Sequence, residues 1–365
     1  MNVMVIGGGG REHAMVWCLA KSSRVREVIC VPGNAGTQGI ATNVDADLSD
    51  HANLIELARK HNIALTVVGP EVPLCAGIVD DFHKAGLRIV GPTAAAARIE
   101  GDKAYAKKIM KAAHIPTAEA RVFNCVEDAK AYVETRAHGF VVKAAGLAAG
   151  KGVFVCEDSE QGLQAVEQIM VDRAFGQAGD KIIVEELLKG PELSVFALVE
   201  GRTIYMLATA QDHKAIGDGD VGPNTGGMGA YSPAPIATPS VMATVERDIL
   251  VPLVDAMNND GSPYRGILYA GLMITPGGPK VLEFNCRFGD PETQAVLMRL
   301  ESDILDIFEA LADGDISKLD IRWNPKPAVC VVMTASGYPG PYEKGQTVEG
   351  LDSVAELAEV QVFQA

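Results

Sequence analysis

Apolar runs of strand length alternate with helical stretches from Met1 to about Gly101, and this alternation limits the fold more than any other feature of the chain. VMVIG leads into a helical stretch at Arg11 to Ala20, EVICV into a loop, ALTVVGPE into Ala76 to Ala85, and LRIVGPT into Ala94 to Glu100. Strands separated by helices predict a parallel sheet with helices on both faces. Ligands of such sheets bind beyond the carboxyl ends of the strands. Three of those ends carry GGGGREH, PGNAGT and GPEVP, all glycine or proline loops.

A different pattern follows from about Asp102 to Ile321. A lysine-rich helix precedes VVKAAGLAAGKGVFV (Val141 to Val155), in which two apolar strands flank a glycine-rich loop. An amphipathic helix near Ser159 to Val171 comes next, then the strands KIIVEELL and ELSVFALVEG, a helix near Val241 to Asn258, and the strands GILYAGLMIT and KVLEFNCRFGD. Strands and helices are mixed here, as in an α+β arrangement. The segment MLATAQDHKAIGDGDVGPNTGGMGAYSPAP shows no periodic pattern; a loop of about thirty residues inside a compact domain is usually functional. After Trp323 a proline-containing linker opens a new apolar strand in NPKPAVCVVM.

The composition, 48% hydrophobic and 22% charged, fits neither a disordered nor a membrane protein. No window approaches a bilayer-spanning length, and MNVMVIGGGG lacks the flank and core of a secretory signal, so the chain is expected in the cytoplasm with no membrane partner. A net charge of -15 argues against a nucleic-acid partner. An anionic ligand must therefore be held by locally concentrated Lys, Arg and backbone N–H groups. The seven cysteines show no C-x-x-C pair, which fits reduced thiols rather than a disulfide framework or a zinc site.

In the glycine hairpin, Gly150-Lys151 resembles the end of a P-loop, but Gly152 follows where a hydroxyl should meet Mg²⁺, and strands lie on both sides. Gly146, Gly150 and Gly152 let backbone approach a polyphosphate, with Lys143 and Lys151 flanking and Lys103 ahead of the preceding helix. A surface hairpin has similar composition. In EFNCR, alternate residues share a face, so Glu283, Asn285 and Arg287 point one way and Phe284 and Cys286 into the core. A carboxylate and an amide oxygen are hard ligands suited to Mg²⁺, with Arg287 beside them for an anionic group; the other reading is a solvated strand face. VEELLKGPELSV offers backbone from Glu185 and Glu186 to Leu188 for an adenine edge, and Glu192 for ribose hydroxyls. GGGGREHA places Glu12 where a dinucleotide fingerprint wants its third glycine, which counts against a nicotinamide-dependent oxidoreductase. That loop and PGNAGT are either anion nests at neighbouring strand ends or two tight turns. His13 and His213 lie nearest these loops, with no nucleophile in a triad setting.

Taken together, GGGGREHA, PGNAGT, VGPE, GPT, KAAGLAAGKGV, EE, QDHK, GPNTGGMGAYSPAP, YAGLM, EFNCRFGDPETQ and ASGYPG resemble the glycinamide ribonucleotide synthetases, phosphoribosylamine–glycine ligases of the ATP-grasp superfamily. The resemblance spans essentially the whole chain; GPNTGGMGAYSPAP and EFNCRFGDPE are specific to this family, whereas the lysine and glycine hairpin is shared across ATP-grasp proteins. It implies a parallel α/β domain at 1–101, an ATP-grasp domain at 102–322 with a mobile lid at about 117–188, and a short, partial C-terminal domain at 323–365. It further implies ATP with Lys103 and Lys143 on its phosphates, the hairpin Gly146 to Gly152 as lid, Glu185 to Leu188 at adenine and Glu192 at ribose. Glu283 and Asn285 would hold Mg²⁺ or Mn²⁺. Gly9 and the nest of Asn34, Ala35, Gly36 and Thr37 would take the phosphate of 5-phosphoribosylamine, and Asp212, Lys214, Arg287 and Asp290 the glycine and the reacting phosphoryl group.

The implied enzyme is a monomer of the second step of purine synthesis. Glycine attacks the γ-phosphate, and the amine of phosphoribosylamine displaces phosphate from glycyl phosphate. Catalysis then rests on positioning, charge neutralisation and exclusion of water, without an enzyme nucleophile. Ala145 stands where the family often has Asp, and Ala215 where Arg is usual after QDHK, so an altered lid and a lost cation near the phosphates are expected. The alternatives are another ATP-grasp ligase and a family member that binds nucleotide without turnover.

Overall fold

The computed structural model describes residues 1–148, 151–219 and 221–365. The first hundred or so residues form the expected parallel sheet, whose five strands lie in the order Thr42–Asn43, Glu27–Pro32, Asn2–Gly7, Ile63–Val68, Ile89–Val90. Both faces are covered: Met4 and Ile6 enter one apolar cluster with Leu54 and Phe82, while Val3 and Val5 enter another with Met15 and Val16. Two buried faces explain why the strand is apolar throughout rather than alternating.

An antiparallel sheet, Thr203–Met206, Glu192–Glu200, Arg265–Thr275 and Gly278–Asn285, shares both clusters with the parallel one. Val195 and Leu268 contribute to the first, Phe196 and Ile267 to the second. A further antiparallel sheet, Ala120–Phe123, Ile182–Glu186, Phe140–Ala144 and Val153–Cys156, has its own core around Phe140, Val142, Val166 and Ile182. The helix Lys103–Ala112 connects to it, capped by Asp102, which accepts from the Tyr105 N–H at 3.0 Å and so sets Lys103 at the first helical position.

Two expectations need correction. The unpatterned segment after Met206 is not a long loop. It folds into Gln211–Asp212, Ala215–Gly217, Val221–Asn224 and Gly229–Ser232, and the last pairs with Gln211–Asp212 on one side and Ala328–Val331 on the other. Strands this short carry no readable alternation, and glycines hide them further. The helix expected from Val241 to Asn258 is interrupted: Pro239–Val245 and Val251–Asn259 flank a π turn, Glu246–Leu250, closed by the Val251 N–H on the Glu246 carbonyl. Pro252 lacks an N–H and crowds the preceding turn, which the wider turn relieves. No helix among the described residues is long and apolar enough to cross a membrane. All seven cysteines are free.

Candidate active site

The sheets converge on a cleft of about 1870 Å³. Successive strands of the parallel sheet are added to one side of Asn2–Gly7 and then, from Ile63–Val68 onward, to the other, and crevices beyond the strand ends form at such a switch. Arg11 and Glu71, just past those ends, line the cleft. The antiparallel strands supply the opposite walls, including Lys143, Glu185, Glu283 and Asn285.

One wall holds three lysines. Glu185, 3% exposed, lies 2.8 Å from Lys143 Nζ and 3.0 Å from Lys107 Nζ. Burial alone would raise its pKa, but the two lysines hold its carboxyl below the usual range, while burial lowers the Lys107 ammonium. Lys103 donates Nζ to the Gly146 carbonyl at 3.0 Å and its backbone N–H to Ala145 at 2.8 Å, and burial lowers its pKa too. Gly152, Glu186, Leu188 and Glu192 also line the cleft. Glu186 is paired with Lys280 at 2.8 Å. Among the described residues, the Leu188 backbone N–H and carbonyl make no hydrogen bond to the chain, which leaves both for a planar base.

Glu283 faces this wall. Its carboxylate has no hydrogen-bond or ion-pair partner among the described residues, and although burial opposes ionisation, Lys214, Lys143, Lys103 and Arg287 hold its pKa below the usual carboxylate range. Asn285 donates Nδ2 to Glu100 at 2.7 Å, so its amide oxygen is the free end. An ionised carboxylate and an amide oxygen, both without partners among the described residues, fit a hard divalent cation. Phe284 and Cys286 are buried, as strand alternation requires. Arg287 lies 3.2 Å from Glu71 and 2.8 Å from Glu100, which with neighbouring groups outweigh its burial and raise its pKa.

Asp212 and Lys214 complete the site. Lys214 pairs with Glu192 at 3.0 Å; Tyr269, Glu192, Glu283 and Asp212 outweigh burial and raise its pKa well above the usual value. Asp212 is 7% exposed and its Oδ1 has no hydrogen-bond partner among the described residues. Burial, then the nearby Glu292, push its carboxyl up to about 8. Glu292 accepts from Ser194 Oγ at 2.8 Å. Asp290 accepts from Gln294 at 2.7 Å and faces Gly9. Because the folded-state pKa of Asp212 lies above its unfolded value, its ionisation destabilises the fold progressively from about pH 4 to about pH 8 and no further above that. Asp212→Asn removes this term. Thermal unfolding should show the native midpoint falling relative to the variant across that window and running parallel to it above; a constant gap removes the titration from Asp212.

The N-terminal loops are placed differently from the nucleotide-side residues. Gly9, Asn34, Ala35, Gly36 and Thr37 do not line the cleft, although Gly10 does. Gly9 N–H donates to Glu12 at 2.7 Å, and the Gly36 and Thr37 N–H groups donate to Asn34 Oδ1 at 2.8 and 3.0 Å. These donors, expected to be open to a phosphate, are taken by side chains of the loops themselves. Glu12 fills the space left by the missing side chains of Gly7 and Gly69, which accounts for an acid where a dinucleotide loop would have glycine. In the hairpin, Lys151 is exposed and the half-buried Gly146 does not line the cleft; Gly150 lies outside the described residues. Ala145 is buried, its N–H on Lys181 and its carbonyl on Lys103, and Ala215 does not line the cleft, so the cation expected at 215 would start from outside the wall.

Four participants went unrecognised in the sequence. Glu71 follows a strand end at the switch point, and Lys107 is one helical turn from Lys103, so both had a positional signal. Glu100 resembles an ordinary helical acid and had none, whereas Glu292 stood inside the EFNCRFGDPETQ motif without being singled out.

A family model for the phosphoribosylglycinamide synthetase N domain matches residues 1–100, and one for its ATP-grasp (A) domain matches residues 101–293. The chain belongs to the phosphoribosylglycinamide synthetase family. This is the family, under its other name, that the sequence motifs resemble. Its member in Rhodopirellula baltica, phosphoribosylamine–glycine ligase, is 49% identical over 371 residues, covering 100% of this chain and 85% of the relative. The crystal structure of phosphoribosylamine–glycine ligase from Thermotoga maritima aligns with a TM-score of 0.80 at 32% identity, over 94% of this chain and 83% of that one. Beyond phosphoribosylglycinamide synthetases the likeness is one of fold: the biotin carboxylase domain of a Hydrogenobacter thermophilus 2-oxoglutarate carboxylase, solved with MgADP and bicarbonate, has a TM-score of 0.69 at 17% identity, covering 90% of this chain and 73% of that one.

Proposed function

We propose that the chain joins glycine to 5-phosphoribosylamine at the cost of ATP, forming glycinamide ribonucleotide, ADP and phosphate through glycyl phosphate. The observation that carries this reading is the Glu283 carboxylate, without a hydrogen-bond or ion-pair partner among the described residues, near Lys103, Lys143, Lys214 and Arg287 on the cleft wall. That relatives about half identical over the whole chain are phosphoribosylamine–glycine ligases supports the choice of substrates.

Lys103 and Lys143 take the phosphates, the free Leu188 backbone meets the adenine edge, Glu185 and Glu186 fix that wall, and Glu192 meets the ribose. A divalent cation, Mg²⁺ or Mn²⁺, held by Glu283 and the Asn285 oxygen supplies charge neutralisation on the phosphates. Arg287, Lys214 and Asp290 hold glycine so that its carboxylate oxygen lies in line with the γ-phosphorus; that P–O bond forms as the bond to ADP breaks. The amine of phosphoribosylamine then attacks the acyl carbon, phosphate leaves, and the amine sheds a proton. Asp212, titrating near 8, is matched to receive it. The hairpin ending at Gly152 excludes water from the acyl phosphate, and the Gly9 and Asn34 to Thr37 loops bind the sugar phosphate once their internal bonds are exchanged for it. The enzyme acts as a monomer in the cytoplasm, without nucleic-acid or membrane partners.

The test is ADP release with Mg²⁺ and ATP, omitting in turn glycine and phosphoribosylamine, the latter generated in place from ribose 5-phosphate and ammonia. Release that needs both, with glycinamide ribonucleotide found by mass spectrometry, is expected. Nucleotide binding without release, or release independent of either substrate, rejects the reaction.

A further inference from the structure

Glu100 closes the helix Ala94–Gly101 and is 6% exposed. Its Oε1 accepts from Asn285 Nδ2 at 2.7 Å and lies 2.8 Å from Arg287 Nη2; its Oε2 accepts from the Cys286 N–H at 2.6 Å. Three consecutive residues at the end of the Gly278–Asn285 strand therefore depend on one carboxylate brought from another part of the chain.

A primary amide donates at one end and accepts at the other, and half a turn about its last bond exchanges the two. The two orientations have nearly the same shape, so packing alone chooses weakly between them. A carboxylate opposite decides the matter, because it only accepts: the NH₂ end of Asn285 must face Glu100, and the oxygen becomes the free end. Glu100 also fixes the backbone at Cys286 and one side of the Arg287 guanidinium, while Glu71 fixes the other side.

We propose that Glu100 is a positioning residue for the divalent cation, selecting the Asn285 orientation that offers oxygen rather than NH₂ and seating Arg287 beside it. The proposal rests on the nucleotide and metal reading given above. A carboxylate that merely tied the helix to the strand would, on removal, weaken the whole cleft alike. An orienting carboxylate affects the cation selectively.

The experiment titrates Mn²⁺ into native protein and variants with saturating ADP, following free Mn²⁺ by electron paramagnetic resonance, and measures metal-free ADP binding by calorimetry. In Glu100→Gln the fixed Cys286 N–H claims the amide oxygen, which leaves the NH₂ facing Asn285, so Asn285 is no longer held oxygen-outward. Mn²⁺ binding should weaken about 10- to 100-fold, as for other groups that orient metal ligands, with metal-free ADP affinity essentially unchanged. The double substitution Glu100→Gln, Asn285→Asp exchanges donor and acceptor across the same contact and should recover most of the loss. Unchanged Mn²⁺ affinity in Glu100→Gln, an equal loss of ADP binding, or no recovery in the double variant overturns the proposal. Should Glu100→Gln fail to fold, Glu100→Asp, which keeps the acceptor but withdraws it from Asn285, is expected to weaken Mn²⁺ binding with metal-free ADP affinity unchanged; unchanged Mn²⁺ affinity overturns the proposal. If native protein itself binds no Mn²⁺ with ADP, the nucleotide reading falls and this inference with it.

Discussion

Glu283→Ala should abolish metal-dependent ADP release while the protein stays folded. The carboxylate has no protein partner among the described residues, so its loss breaks no hydrogen bond within the chain. The cations around it keep other partners: Lys143 has Glu185, Lys214 has Glu192, Lys103 has the Gly146 carbonyl, and Arg287 has Glu71 and Glu100. What disappears is the one anionic oxygen donor of the proposed metal site. A group whose electrostatic role is confined to a closed site is worth about 10²- to 10³-fold in rate, and loss of the cation as well places the effect at or beyond the top of that range. Steady-state ADP release over a Mg²⁺ titration and a thermal unfolding curve together check this. An unchanged rate removes Glu283 from the site; a collapsed unfolding transition makes it structural.

Arg287→Met should fail differently, losing stability as well as activity. The guanidinium lies between two partly or fully buried carboxylates, Glu71 at 3.2 Å and Glu100 at 2.8 Å, with side-chain exposure of 17%. Methionine matches much of its volume but leaves both acids uncompensated, and breaking a buried pair in this way costs about 3–5 kcal/mol. Denaturant unfolding should report that loss. Adding Glu100→Gln to Arg287→Met removes one stranded charge, so part of the stability should return while ADP release stays absent. Stability restored together with activity would show that Arg287 serves the fold alone.

The contrast between these variants bears on what a sequence can disclose. Periodicity was enough to place the parallel sheet, because a strand with two buried faces announces itself as an unbroken apolar run, as Val3 to Ile6 does. Alternation along Glu283, Phe284, Asn285 and Cys286 likewise separated cleft from core. Short strands such as Gln211–Asp212 fell below the length at which a period can be seen. The site's less visible half is made of residues whose partners are remote in the chain: Glu100 and Arg287 meet only after folding, and nothing beside Glu100 in sequence marks it. Family motifs located Arg287 and Asp212 but carried no information on which of the N-terminal amides are already in use; that depends on the rotamers of Glu12 and Asn34.

The pairing of cleft cations with carboxylates shapes how a polyanion can enter. Lys107 and Lys143 share Glu185, Lys214 holds Glu192, and Arg287 holds Glu71 and Glu100. In a chain of net charge -15, such a cleft is not an electrostatic funnel that gathers anions from a distance. Entry is closer to ion exchange: the newcomer takes a place that a resident counter-ion gives up, and only a ligand able to replace several at once gains by it. Simple anions, abundant in any cell, have little to offer in that trade.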